Sequence, residues 1–302
     1  MKKIRVAIFG TGNIGTDLLV KIFRSKYLEC NLFSGRSFLS LGLKKFRAEK
    51  LKNKRKYRNL ILSDKGVNAL VKNSNNFDLI FDCTSAKLHK KNFKLFRKLK
   101  KKIINLTPTD DGYMCIPVLN LEECNKSIEL NMVSCGAQSS VPVAFTMSKI
   151  FKKRVQYIET TSTISSKSAG PATRLNLDEY IYSTQRAINY FARVNKCKAI
   201  LNLNPAFPHI NMETTTYAKI KGKKVSKSEL NRFKKLLKSI ISKLRKYVRG
   251  HKIIVEPTLI DDVLVVKTKT IGAGDYLPSY AGNLDIINCA AVAAGEYYAK
   301  KK

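Results

Sequence analysis

The chain has 302 residues, 57 Lys and Arg against 22 Asp and Glu, and a formal net charge of +35 at pH 7. That length suits one large or two medium domains, and a hydrophobic fraction of 44% can build a sizeable core. Seven cysteines, at positions 30, 83, 115, 124, 135, 197 and 289, have an odd count and no paired spacing, which argues against a disulfide framework and for a reducing, cytoplasmic setting, and no run approaches the ~18 apolar residues of a membrane span.

The basic residues are spread through 44–58, 87–102 and 219–252 rather than gathered in one patch. Together with many Asn and Ile and no Trp, this reads as the drift of an A/T-biased genome at permissive surface sites, so nucleic acid is not the expected partner. Residues 3–9 read as a buried strand. Gly10-Thr11-Gly12-Asn13-Ile14-Gly15 follows at once, and 17–24 has helical spacing with Leu18, Leu19, Ile22 and Phe23 on one side. Strand, Gly-x-Gly-x-x-Gly and helix in that order form a dinucleotide-binding fingerprint, with the helix N-terminus facing the phosphates.

A second strand is expected over about 28–33. At its end an NAD site would place an acid for the ribose, whereas this chain has Ser34-Gly35-Arg36-Ser37. Arg36 either accepts a 2′-phosphate, favouring NADP, or is a solvated surface residue. The basic stretch 41–58 reads as a solvated helix, with an anion-binding flap as the alternative. A strand at 77–81 leads into the loop 82–86, on the sheet edge where ligands bind in this architecture. His89 opens the next helix and has no partner near it in sequence, so it is read as structural. A strand at 102–106, a turn cluster at 107–112 and a helix entered through Asn120 follow.

An apolar strand-like segment ends at Val133 and delivers Cys135-Gly136-Ala137-Gln138. From 138 to 150 the spacing is helical, and Pro142, tolerable in a first helical turn, places the helix start close to Cys135. A thiol there meets the positive helix end and free N–H groups, which lower its pKa and can hold an oxyanion. The plainer alternative is a buried, inert cysteine. Gln138 either holds substrate or caps the helix.

Past residue 150 the pattern turns to alternating strands at 155–164, 199–203, 212–220, 252–257 and 262–270. Helices are expected at 177–189 and 226–247, and a small-residue helix at the end. The loop 165–174 is small and polar. The order fits an N-terminal α/β domain and an α+β half with antiparallel character.

With Gly10–Gly15, Phe81-Asp-Cys-Thr-Ser-Ala86, Asn131-Met-Val-Ser-Cys-Gly136, Ile164-Ser-Ser-Lys-Ser-Ala-Gly-Pro171 and Tyr280-Ala-Gly-Asn-Leu-Asp-Ile286 in place, the chain resembles the bacterial acylating acetaldehyde dehydrogenases that partner a 4-hydroxy-2-oxovalerate aldolase. The resemblance runs through nearly the whole length. It implies an α/β fold: a Rossmann dinucleotide-binding domain over 1–133 with the returning helix 281–302, and an α+β catalytic and dimerisation domain of the semialdehyde-dehydrogenase type over 134–280. It implies oxidation of acetaldehyde with NAD and CoA to acetyl-CoA and NADH, with Cys135 as nucleophile and a thioester on its sulfur. By position, Thr11, Gly12, Asn13 and Ile14 would contact the dinucleotide phosphates. Ser168, Ala169, Gly170, Pro171, Ala172, Thr173, Arg174, Leu175 and Asn176 would line the nicotinamide and the cysteine, and Asn283 would hold the carboxamide. A homodimer unit, a possible complex with the aldolase and no membrane association complete the picture.

Several features depart from the family pattern. An Asp is usual two residues after Met212, and Thr214 stands there, with Glu213 beside it and therefore pointing to the opposite face of a strand. His209 is the other titratable candidate. The alternatives to be separated are a phosphate-dependent semialdehyde dehydrogenase of related fold and a non-catalytic basic scaffold that binds RNA or an aldolase.

Overall fold

A computed structural model describes residues 3–170, 173, 174 and 176–302; Pro171, Ala172 and Leu175 of the expected nucleotide loop lie outside the described residues. The chain divides into two compact units: Met1–Cys115, Leu121–Met132 and Asn288–Lys302 in the first, Ile116–Asn120 and Val133–Ile287 in the second.

The first unit is a doubly wound α/β sheet. Its elements are β1 (Ile4–Phe9), α1 (Asn13–Arg24), β2 (Leu28–Ser34), α2 (Leu41–Lys52), β3 (Ile61–Ser63), α3 (Val67–Lys72), β4 (Leu79–Asp82), α4 (Ala86–Lys98), β5 (Lys102–Asn105), β6 (Tyr113–Met114) and β7 (Glu129–Asn131). The strand order is β3-β2-β1-β4-β5-β7-β6, and every pairing is parallel. Val6, Ala7 and Ile8 of β1 are fully buried, as a strand covered on both faces requires. Phe9, Leu70, Phe77, Ile80, Phe96 and Ile103 form one core cluster. Phe23, Phe33, Phe46 and Tyr57 interlock as edge-to-face and tilted rings in another region of the unit. The strand order reverses between β1 and β4, so the loops after Phe9 and Asp82 lie side by side, the switch point where such sheets bind ligands. The basic stretch 41–58 is not one helix: α2 starts on the Ser40 hydroxyl cap and ends at Lys52.

Helix α5 (Pro117–Cys124) breaks at Asn120, whose φ of −142° and ψ of 26° are not helical. Asn120 is therefore not the helix cap expected of it; its Oδ1 accepts from the Ile116 N–H at 3.0 Å.

The second unit holds α6 (Cys135–Phe151), β8 (Val155–Ser165), α7 (Leu177–Ala192), β9 (Cys197–Asn204), β10 (Met212–Ile220), α8 (Lys227–Leu244), β11 (His251–Ile260), β12 (Val263–Thr270) and the first residues of α9 (Gly282–Lys301). Its sheet runs β11-β12-β10-β8-β9. Only β8 and β9 pair in parallel, consistent with the helix α7 between them. On β10 alternate residues face inward: Met212, Thr214, Thr216 and Ala218 are buried, while Glu213, Thr215 and Tyr217 remain half-exposed. Helices α6 and α8 cover the inward face. A capping box of Ser226 and Glu229 starts α8.

Pro142 departs from expectation. It lies inside α6, well past the first turn. A proline there removes one backbone hydrogen bond and costs about 3 kcal/mol in an exposed helix. Helix α6 is buried through Gly136–Ala144, so tertiary packing overrides the local penalty.

Candidate active site

In the first unit, Gly10 ends β1 with a φ of +108°, and its N–H donates to Ser34 O at 2.8 Å. A Cβ on Gly10 would stand 2.5 Å from the carbonyl oxygen of Cys83, so the β1 turn and the β4 loop touch backbone to backbone. A Cβ on Gly12, in contrast, would meet nothing within 4 Å. Gly12 and Asn13 are exposed and Ile14 is half-buried. No side chain among the described residues caps the N-terminus of α1, which leaves its first N–H groups open to an anion. Thr11 is turned inward, its hydroxyl donating to Ser40 Oγ at 2.9 Å. An open cradle before an uncapped helix fits a dinucleotide pyrophosphate. Beyond β2, Ser34 is buried and bonded to Gly66 O, no acid ends the strand, and Arg36 is exposed.

The β4 loop is fixed from behind. Asp82 Oδ1 accepts from the Thr84 N–H and hydroxyl at 3.0 and 2.6 Å, while Asp82 Oδ2 lies 2.8 Å from His89 Nδ1. Glu129 Oε1 is 2.9 Å from His89 Nε2, and Asn105 Nδ2 lies 3.2 Å from the same nitrogen. Burial acts to lower the His89 pKa, but hydrogen bonds and charge from Asp82 and Glu129 outweigh it and raise the value to about 9. His89, expected to lack a partner, has them from β4, β7 and β5, elements distant from it in sequence.

In the second unit, Val133 takes a φ of +62° immediately before the helix, a left-handed conformation that costs a β-branched residue about 1–3 kcal/mol. Ser134 then caps α6, its Oγ accepting from the Ala137 N–H at 3.0 Å and bonding Thr184 Oγ1 at 2.7 Å. Ser134, rather than Gln138, is the cap; Gln138 is buried, and its backbone N–H donates to Ser134 O. Cys135 is the first residue of the helix. The N–H groups of Gly136 and of Cys135 itself and the Tyr180 hydroxyl lie near its sulfur and favour its ionised form. Part of the residue's surface is exposed, yet the sulfur is crowded by protein atoms. That desolvation outweighs the donors and pushes the thiol up to about 11. The lowered value expected from the helix end alone does not hold in the free protein, because burial penalises the anion more than the helix favours it.

The loop before α7 is tied internally: Ser168 Oγ donates to Ser165 O at 2.8 Å, and Arg174 donates to Ala169 O and to Ser166. Ser168 and Ala169 are buried, and Gly170 opens onto free space. Thr173 O accepts from the Asn176 N–H and Asn176 O from Tyr180 N–H, so the loop runs directly into the helix bearing Tyr180. Asn283, in the first turn of α9, is 1% exposed, and its Oδ1 has no hydrogen-bond partner among the described residues. Thr214 Oγ1 lies 3.2 Å from Ser162 Oγ. Glu213, on the other face, is held by Lys267 and Lys269 at 2.6 and 2.9 Å. Burial acts to raise its carboxyl pKa, but hydrogen bonds and charge from Lys267 and Lys269 outweigh it and hold the value below the usual range; its side chain is on the face opposite Thr214. His209 packs against Tyr280 with ring centres 4.8 Å apart and planes tilted by 60°. Tyr180 and Ser162 were not legible as site residues, since their approach to Cys135 depends on the packing of α7 and β8 on α6.

A family model described as the dimerisation region of prokaryotic acetaldehyde dehydrogenase matches residues 135–278. The chain is 44% identical over 297 residues to the acetaldehyde dehydrogenase of Pectobacterium atrosepticum, covering 98% of this chain and 95% of that one. It is 44% identical over 299 residues to the acetaldehyde dehydrogenase of Spirochaeta aurantia, with 99% and 96% covered. Against the acetaldehyde dehydrogenase of Burkholderia thailandensis the identity is 38% over 295 residues, with 98% and 94% covered.

Proposed function

The chain belongs to the acetaldehyde dehydrogenase family, and from that premise we propose that it oxidises acetaldehyde to acetyl-CoA with NAD through a thioester on Cys135. The observation that carries this reading is the placement of Cys135 as the first residue of a buried helix, with the N–H groups of positions 135 and 136 on its sulfur. Gly12, Asn13 and Ile14, with the backbone of Thr11, would hold the dinucleotide phosphates at the open turn; the resemblance assigns the nicotinamide to residues 168–176 and its carboxamide to Asn283, whose Oδ1 has no partner among the described residues. Bound NAD supplies the acceptor for the hydride that leaves the substrate carbon.

Cys135 must first lose its proton to solvent, since no carboxylate among the described residues contributes to the state of its sulfur. Its sulfur then bonds to the aldehyde carbon, and the carbonyl pair moves onto oxygen as an alkoxide. The N–H groups of the first helical turn favour that anion. When the carbon gives up hydride, the alkoxide pair re-forms the carbonyl and Cys135 carries an acetyl thioester. The CoA thiolate adds to this carbon, and the Cys135 sulfur leaves as thiolate, ready for another turn. CoA as acceptor also accounts for how one cysteine both stores and releases the acyl group.

The half-exposed face of β10, with Glu213, Thr215 and Tyr217, belongs to the region matched as a dimerisation domain, and we assign a homodimer to that face. The resemblance further implies a 4-hydroxy-2-oxovalerate aldolase partner, which co-purification of the two chains tests. Seven free cysteines suit a reducing, cytoplasmic setting. The thioester is tested by incubating the protein with acetaldehyde and NAD but no CoA, followed by peptide mass analysis. An acetyl adduct on the Cys135 peptide that disappears on adding CoA is expected; turnover with no such adduct, or an adduct elsewhere, overturns the reading.

A further inference from the structure

Among the described residues, no carboxylate or cation contributes to the state of the Cys135 thiol: its sulfur meets two N–H groups and one tyrosine. That tyrosine is Tyr180, 6% exposed, from α7. A Cβ on Gly136 would stand 2.1 Å from Tyr180 Oη and 3.4 Å from Ser162 Oγ, so glycine at 136 is what lets the hydroxyl reach the first turn of α6. The hydroxyl has no hydrogen bond of regular geometry among the described residues, although the thiol, the Gly136 N–H and Ser162 Oγ all lie against it. Behind it, Ser162 Oγ lies 3.2 Å from Thr214 Oγ1. Thr268 Oγ1, from β12, donates to Thr214 O at 3.4 Å and lies 3.2 Å from Ser139 Oγ of α6.

We propose that Tyr180 is the hydrogen-bond donor that stabilises the ionised sulfur of Cys135, with the hydroxyls of Ser162 and Thr214 aligned behind it. Tyr180 touches the reacting sulfur; Ser162 and Thr214 are positioning residues that act through it. Either hydroxyl of the Ser162–Thr214 pair can donate; on this proposal Thr214 donates to Ser162, Ser162 to Tyr180 and Tyr180 to sulfur. Hydrogen bonds in such a chain polarise one another. Burial, and then the neighbouring Cys135, hold the Tyr180 pKa well above its usual value, so the hydroxyl stays protonated and acts as a donor, not a base. The charged groups of the packed strands, Glu213, Lys267 and Lys269, pair with one another on the opposite face of the sheet. The loose geometry of the hydroxyl in the thiol form is what makes the effect selective: the bond closes when charge appears on sulfur, which favours the thiolate over the thiol.

This inference rests on Cys135 being the nucleophile. The test is the pH dependence of Cys135 alkylation by iodoacetamide, followed by peptide mass analysis, in the native protein and in Tyr180→Phe. Phenylalanine keeps the volume of the ring. A hydrogen bond to a charged group is worth about one to two pKa units, so the profile should move up by that amount. At pH below the midpoint Cys135 should react roughly three- to tenfold more slowly, because a more basic thiolate partly compensates by being more nucleophilic. Cys197, whose sulfur donates to Gln185 O of α7, reports in the same experiment on whether that helix is intact, and its rate should not change. Slowing at Cys135 alone supports the proposal. Unchanged rates at both cysteines overturn it. If both rates change, Ser162→Ala decides: slower Cys135 with unchanged Cys197 supports the chain, and unchanged Cys135 overturns it. Native protein that still turns over after its Cys135 has been fully alkylated refutes the nucleophile reading itself, an outcome distinct from the behaviour of Tyr180→Phe.

Discussion

Replacing His89 by Gln should make the protein's stability less dependent on alkaline pH. Each ring nitrogen of His89 faces a carboxylate oxygen, Asp82 Oδ2 at 2.8 Å and Glu129 Oε1 at 2.9 Å. Both oxygens are acceptors, so both nitrogens bond fully only when both carry protons. The side chain is fully buried, and solvent does little to screen it. With the folded pKa raised from 6.5 to about 9, the stabilisation is fully present below 6.5 and is lost as pH rises through 9. A shift of about 2.5 units corresponds to roughly 3 kcal/mol at 1.36 kcal/mol per unit. Other groups titrate in this range, buried thiols among them, so the His89 contribution is the difference between native protein and His89→Gln. In urea unfolding that difference should shrink by roughly 3 kcal/mol between about pH 6 and about pH 10. A difference that stays constant with pH would refute the imidazolium assignment. Because Asp82 holds the loop that abuts Gly10, dinucleotide affinity should weaken in parallel.

At the glycine turn, Gly10→Ala puts a methyl 2.5 Å from the Cys83 carbonyl at a φ of +108° and should lower stability by about 1–3 kcal/mol in thermal unfolding. Gly12→Ala meets no protein atom within 4 Å; it should stay within about 0.5 kcal/mol of native stability yet lose dinucleotide affinity by titration calorimetry. Asn283→Ala removes a buried oxygen that has no partner among the described residues, so NAD affinity should fall without loss of thermal stability; an equal fall in both would refute the carboxamide role. Ser226→Ala, which deletes the hydroxyl cap of α8, should cost about 1 kcal/mol with no change in NAD affinity.

What the sequence revealed follows the range of the interactions involved. The glycine turn was legible because strand, turn and helix are contiguous in the chain, and the alternation of β10 correctly set Glu213 and Thr214 on opposite faces. Cys135 was legible as the start of a helix, but its pKa was not, because the helix end is local while the desolvation comes from packed neighbours. Pro142 misled for the same reason: its penalty is a local quantity, and the buried surroundings of α6 override it. The partners of His89 sit on β4, β5 and β7, and Tyr180 reaches Cys135 from a helix beyond β8, so no window of sequence joins them.

The most direct test of the central claim is steady-state NADH formation from acetaldehyde and NAD, with and without CoA, by native protein and Cys135→Ala. Sustained turnover that needs CoA and vanishes in Cys135→Ala is the predicted result. Comparable turnover by the folded Cys135→Ala variant, or native turnover indifferent to CoA, would contradict the cysteine thioester at the centre of the account.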